Sequence, residues 1–252
     1  MLIMLTNDDG VTSPGLKALQ ESLQGFGRVV IVAPDRNRSA IGHALTLESP
    51  LRAEEVSPDV FAIDGTPTDC VNLGIHGLLK EMPALIVSGI NKGGNLGDDI
   101  TYSGTVCAAL EATLMGVPAF AISLDSQYFV KSDLEIAAGF ARHLARQVLH
   151  HGLPDDTFLN VNVPSGGVTG TQLTRQGKRH YGDVVIRKED PRGRSYYWIG
   201  GGDLSFEDIP GSDCNALHAG KISITPLHIN LTNDESLKVL ATWDIDLPSM
   251  EL

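Results

Sequence analysis

Along the first 163 positions, short continuous apolar runs alternate with amphipathic stretches. Leu2-Ile3-Met4-Leu5-Thr6, Val29 to Ala33, Leu85-Ile86-Val87, Ala119 to Leu124 and Phe158 to Val163 are each bounded by turn residues. That is the pattern of strands buried on both faces. Between them, Ser13-Pro14 offers a cap and a first-turn proline, and Leu16, Leu19 and Leu23 space out a helix ending near Gly25 or Gly27. Thr66-Pro67-Thr68-Asp69 starts a second helix, to about Leu79, and capping fully accounts for Thr66 and Asp69. A third helix runs from about Val106 to Met115, where Gly116-Val117-Pro118 stops it, and a fourth from Asp133 to about His150. Strand, helix and strand within about thirty residues make a βαβ unit. The expected fold is therefore α/β: a Rossmann-like, doubly wound, mostly parallel sheet.

Two stretches break the rhythm. From Leu45 to Ile63 the chain reads as short alternating strands, a hairpin insertion. Beyond Pro164 the texture turns β-rich, with a basic, hairpin-like stretch from Arg175 to Arg194. Tyr196-Tyr197-Trp198-Ile199, a glycine-rich loop and a strand from Lys221 to Thr225 follow. The chain divides on this reading into an α/β core, residues 1–163, and a β-rich extension, residues 164–252. Exposed strand edges and aromatics suit the extension to packing on the core and on a partner subunit.

Composition narrows the partners. A net charge of −12 over 252 residues argues against general affinity for nucleic acid or an anionic membrane. No run of about eighteen apolar residues and no basic-then-apolar leader is present. Cys70, Cys107 and Cys214 are widely spaced and form no Cys-x-x-Cys pair. They read as core thiols in a reducing compartment, which places the protein in the cytoplasm. The histidines at the end of the fourth helix complement its dipole and need no chemistry.

Candidate chemistry gathers where strands end. The first strand empties into Asn7-Asp8-Asp9-Gly10. Ligands bind at the carboxyl edge of open α/β sheets, and two adjacent carboxylates stay ionised only with a cation or donors around them. Oxygen-rich sites of this kind suit Mg²⁺ or Mn²⁺. A plain turn, with Asx side chains capping backbone amides, accounts for the same four residues, and the motif alone does not decide.

The second strand leads into Pro34-Asp35-Arg36-Asn37-Arg38-Ser39-Ala40 at the same edge. Ser39 could offer a hydroxyl oxygen to a cation, and Asn37 or Arg38 could face an anion. The third strand leads into a long loop, Ser88 to Asp99, rich in glycine and asparagine, and then Ser103-Gly104-Thr105 opens a helix. Free amides and the dipole at such a terminus favour an anion. The spacing is not that of a Walker A loop.

Taken together, these segments resemble the SurE family of survival proteins, metal-dependent nucleoside monophosphate phosphatases. The matching motifs are Asn7-Asp8-Asp9-Gly10, Ala33 to Ser39, Gly65-Thr66-Pro67-Thr68-Asp69-Cys70-Val71, and Ser88-Gly89-Ile90-Asn91 through Val106. Later ones are Asp190-Pro191-Arg192-Gly193, Tyr197-Trp198-Ile199-Gly200 and Ile224 to His228. The resemblance implies one divalent ion per subunit, Mg²⁺ or Mn²⁺, held by Asp8, Asp9, Ser39 and Asn91. It implies that Asn95, Ser103, Gly104 and Thr105 hold the phosphate. It also implies hydrolysis of 5′- and 3′-nucleotides, in some members short polyphosphate, by a homodimer or homotetramer joined through the C-terminal extension.

Asp8 and Asp9 are the candidate catalytic residues, serving either water attack or, through Asp8, an aspartyl-phosphate. Two other classes compete. One is a nucleotide-binding regulatory module without turnover, and the other a metal-dependent glycosyltransferase that would need a nucleotide-sugar.

Overall fold

The structure, a computed structural model, describes residues 1–181, 185–199, 204–243 and 245. The glycine-rich loop expected after Ile199 lies outside these residues. A nine-stranded sheet runs in the order β3-β4-β2-β1-β5-β6-β7-β13-β8. Its strands are β1 (Leu2–Thr6), β2 (Arg28–Pro34), β3 (Ala53–Ser57), β4 (Val60–Ile63), β5 (Leu85–Lys92), β6 (Ala119–Asp125), β7 (Thr157–Pro164), β8 (Gly170–Leu173) and β13 (Lys221–His228). Strands β4, β2, β1, β5, β6 and β7 are mutually parallel. β3 and β13 run antiparallel to their neighbours β4 and β7.

Period-two alternation sends each strand's side chains to opposite layers. Ile3 and Leu5 meet Leu16, Leu19 and Leu23 of α1 (Pro14–Leu23) and Ala137, Ala141, Leu144 and Val148 of α4 (Lys131–His151). Leu2 and Met4 meet Cys70 and Val71 of α2 (Pro67–Leu73) and Val106, Ala109 and Ala112 of α3 (Gly104–Leu114). Truncating a side chain as enclosed as Leu5 would cost about 2–5 kcal/mol.

The chain steps from β1 outward to β2 and β4, then returns to β5 and steps the other way to β6 and β7. The strand order therefore reverses between β1 and β5, which leaves a crevice at their carboxyl ends. Asp8 follows β1 and Asn91 lies within β5. The expected loop from Ser88 thus begins later: Ser88 to Lys92 continue the strand, with a bulge between Gly89 and Asn91 against β6. The start of α1 closes on this bulge. A Cβ on Gly15 would stand 2.1 Å from the Ile90 carbonyl oxygen, so only glycine lets helix and strand approach.

The expected hairpin after Leu45 is β3–β4, reached through an irregular segment. Thr66 and Asp69 form a capping box, and Asp69 also accepts the Thr46 amide and hydroxyl, which ties that segment down. Past β8, β9 (Arg179–Tyr181) pairs with β12 (Leu204–Phe206), and β10 (Val185–Glu189) with β11 (Ser195–Ile199), each pair two-stranded and antiparallel. The β10–β11 ribbon holds no buried residue. Helices α5 (Asp213–His218) and α6 (Asp234–Leu240) complete the described elements.

Candidate active site

The Asp-Asp-Gly turn is fixed from both sides. Asn7 Nδ2 donates to the Gly10 carbonyl at 3.1 Å, and Gly10 N–H returns to Asn7 Oδ1 at 3.1 Å. Gly10 sits at φ +101°, and a Cβ there would meet the Arg36 carbonyl carbon at 3.0 Å. The Arg38 amide donates to the Asp8 carbonyl at 2.7 Å, locking the loop after β2 onto the turn after β1.

The two carboxylates are placed differently. Asp8 is 4% exposed: its Oδ1 accepts the Thr105 hydroxyl at 2.5 Å and its Oδ2 the Thr105 amide at 3.2 Å. Burial raises its pKa, and the bonds from Thr105 oppose that shift without cancelling it. Asp9 is half-buried and accepts the Lys92 amide at 3.3 Å and, weakly, Asn37 Nδ2 at 3.4 Å. Its pKa is raised by burial first and by the Asp8 charge second. A buried carboxylate whose charge also raises the pKa of its neighbour is what a cation beside the pair would relieve.

A cavity of about 310 Å³ opens beside this pair, and Asp8, Ser39, Asn91, Asn95 and Ser103 all line it. Ser39 is oriented by Asn37, whose Oδ1 accepts both its hydroxyl at 2.7 Å and its amide at 2.9 Å. Asn91 Nδ2 donates to the Gly93 carbonyl at 2.8 Å, which leaves Oδ1 as its atom for a ligand. Asn95 is pinned: its Nδ2 donates to Ser123 Oγ, its amide to Asn162 Oδ1, and its carbonyl accepts Asn160 and Asn162. Ser103 caps α3 by accepting the Val106 amide. Among the described residues, no cluster of three or more His, Cys, Asp or Glu is arranged to hold a metal. Asp8, Ser39 and Asn91 bring a carboxylate, a hydroxyl and an amide oxygen to the cavity, and the Asp9 carboxylate follows Asp8 on the same turn, a hard-oxygen set that fits Mg²⁺ or Mn²⁺.

Not every expected residue reaches the cavity. Asp9, Gly104 and Thr105 are absent from its wall: Asp9 accepts the Lys92 amide, and Gly104 and Thr105 face Asp8, where a Cβ on Gly104 would lie 2.9 Å from Asp8 Cβ. Asn37 serves Asp9 and Ser39. Arg38 turns away, donating to the Asp64 carbonyl at 2.9 Å. Neither lines the cavity to meet an anion.

Conversely, Asp99, Tyr102, Asp125 and Arg179 line the wall without having been singled out as chemistry. Arg179, from the basic stretch, donates to Asp99 of its own chain at 2.6 Å. Its position depends on buried Asp213, which accepts the amides of Gly97, Gly177 and Cys214 and so clamps the β5–α3 loop to the β9 approach. A lone acidic residue 116 positions from Gly97 gives no sequence signal of that clamp.

An open α/β sheet with an acidic, hydroxyl-rich cavity at its reversal point defines a small-ligand protein of the doubly wound class. Residues 3–183 match the family model described as survival protein SurE. The chain is 63% identical over 245 residues to the 5′-nucleotidase SurE of Syntrophotalea carbinolica, covering 97% of this chain and 98% of that one. It is 60% identical to the 5′-nucleotidase SurE of Geobacter sulfurreducens, covering 97% and 94%. The crystal structure of the SurE protein from Aquifex aeolicus superposes with a TM-score of 0.83 at 42% identity, over 95% of this chain and 98% of that one. This chain belongs to the SurE family.

Proposed function

We propose that this chain is a divalent-metal-dependent phosphomonoesterase acting on nucleoside 5′- and 3′-monophosphates, and on short polyphosphate. The observation that carries the reading is one cavity edged by Asp8, Ser39, Asn91, Asn95 and Ser103, with Asp9 bonded to the amide next to Asn91. The 5′-nucleotidase names of its relatives point the same way.

Asp8, Asp9, Ser39 and Asn91 would hold one Mg²⁺ or Mn²⁺. When bound, the ion supplies polarisation of a phosphoryl oxygen and a lower pKa for water. Asn95 and Ser103 bind the phosphoryl oxygens: the Ser103 oxygen already accepts Val106, so its hydrogen is the part that donates. In this reading Gly104 and Thr105 serve Asp8 rather than the phosphate. Thr105 holds the carboxylate at both oxygens, and Gly104 leaves room for it. Whether Asp8 orients a water or itself attacks phosphorus is decided by trapping, or failing to trap, a phosphoenzyme.

The C-terminal extension supports self-association into a homodimer or homotetramer. Trp198, Ile199, Leu231 and Trp243 are 61%, 92%, 90% and 60% exposed, apolar side chains that a partner subunit would cover. A cytoplasmic location fits the three buried free thiols. The charge of −12 fits a small-molecule substrate and neither nucleic acid nor membrane, and among the described residues no helix is long and apolar enough to cross a membrane.

The test is phosphate release from AMP, GMP and an aryl phosphate, with Mn²⁺ and with chelator. Release that requires the metal supports the reading. Binding of AMP without release would support a regulatory module, and cleavage of a nucleotide-sugar alone a glycosyltransferase.

A further inference from the structure

Between β2 and β3 the chain runs from residue 35 to 52 with no helix or strand, and Ser39 sits exposed on this arm. A segment without ladder bonds keeps one shape only where other groups pin it. Before Ser39 the pin is the Arg38 amide on the Asp8 carbonyl. After it, the Gly42 amide donates to the Tyr102 carbonyl at 3.0 Å, and His43 Nε2 donates to Glu111 Oε2 at 2.6 Å. Further along, Thr66 and Asp69 hold Ala44 and Thr46.

The carboxylate that takes His43 is not a surface group. Glu111 is buried in α3, and its other oxygen accepts Asn72 Nδ2, so its place is fixed. A bond from His43 to a buried, ionised acceptor is a strong one. Between the pins lies Ala40 at φ +57°, the left-handed region that an L side chain avoids. Strain of this kind persists only where the surroundings over-determine it. Here the pins at Arg38 on one side and at Gly42 and His43 on the other do so. Ala40 lines the cavity next to Ser39. Freed from His43, it would relax towards negative φ and carry the Ser39 hydroxyl with it.

We propose that His43 is a positioning residue for Ser39: its bond to Glu111 keeps Ala40 left-handed and so holds the Ser39 hydroxyl on the wall it shares with Asp8. Helix α3 then places two of the metal-binding groups at once. Thr105, in its first turn, holds Asp8, and Glu111, about 9 Å further along the axis, holds the arm of Ser39. This rests on the metal-dependent reading above.

The test uses the full chain with Mn²⁺ as the probe. Wild type, Ala40→Gly, His43→Ala and the double variant are compared. The readouts are Mn²⁺ affinity by calorimetry, hydrogen exchange of the 40–43 amides in chelator, and phosphate release from AMP. Glycine takes φ near +57° without strain, so it keeps the arm's shape when His43 is gone. His43→Ala is expected to lose about tenfold in Mn²⁺ affinity and to exchange faster. Its phosphate release should fall at limiting Mn²⁺ and return at saturating Mn²⁺. His43→Gln, which keeps a donor for Glu111, should stay closer to wild type. Adding Ala40→Gly to His43→Ala should recover most of the affinity and slow the exchange. Wild-type affinity in His43→Ala overturns the proposal. So does a fall that Ala40→Gly leaves uncorrected, which would trace the loss to an unpaired Glu111 disturbing α3. If wild type binds no Mn²⁺, the metal-dependent reading fails instead, and the exchange rates decide the role of His43 by the same comparison.

Discussion

The Thr105 hydroxyl lies 2.5 Å from one oxygen of Asp8, and the Thr105 amide lies 3.2 Å from the other. Helix α3 thus grips the Asp8 carboxylate at both oxygens. Donors that orient a ligating side chain in this way typically set metal affinity by about tenfold to a hundredfold. Thr105→Val keeps the shape and removes the hydroxyl bond, so Mn²⁺ affinity by calorimetry is expected to fall by about that factor. Thr105→Ser should restore most of it. Affinity unchanged in the valine variant would show that Asp8 needs no such support.

Gly104→Ala tests the same contact from the steric side. The new methyl would stand 2.9 Å from Asp8 Cβ and 3.0 Å from Pro67 Cγ, too close for carbon pairs held between a helix start and a turn. Overpacking of this kind costs about 1–3 kcal/mol. The melting temperature should drop, and phosphate release should fall further than the stability loss explains, because Asp8 is what must move.

Asp8→Asn keeps the side-chain shape and removes the charge. Phosphate release should fall by about a hundredfold or more, the equivalent of several kcal/mol of charge stabilisation. Stability of the metal-free protein should hold or rise, because burial disfavours the ionised carboxylate. Denaturant unfolding in chelator measures the second half of this prediction.

A pH effect is expected away from the cavity. Glu111 of α3 is 3% exposed and accepts His43 at 2.6 Å and Asn72. Burial pushes its carboxyl up, but the bonds from His43 and Asn72 outweigh burial and hold it below its ordinary value of 4.5. A carboxyl depressed in the folded state contributes stability that is full above its unfolded pKa and lost as pH falls through the folded one. The stability that Glu111 contributes relative to Glu111→Gln should therefore be lost as pH falls below 4.5. Equilibrium unfolding across that range checks it.

The parts legible in the sequence are those that local pattern controls. Apolar runs marked β1, β2, β5, β6 and β7, and the Ser13, Thr66 and Ser103 caps marked three helix starts, because burial and capping act over a few residues. Asp8, Ser39 and Asn91 meet at one cavity because each follows or ends a parallel strand on the same edge. Contacts made by packing were not legible. Thr105 reads as an anion-binding terminus until α3 is seen docked on Asp8, 97 positions earlier. Strands β8 and β13 read as part of an extension, yet they complete the main sheet, since pairing across distant segments leaves no local mark. Arg179 reaches the site only through the Asp213 clamp and the β9–β12 pairing.

One experiment tests the cation most directly: anomalous scattering at the manganese edge from crystals grown with Mn²⁺. A single strong peak within coordination distance of carboxylate oxygens from Asp8 and Asp9, and near Ser39 and Asn91, is the expected result. No peak there, with the two carboxylates turned from Asn91, would contradict the account.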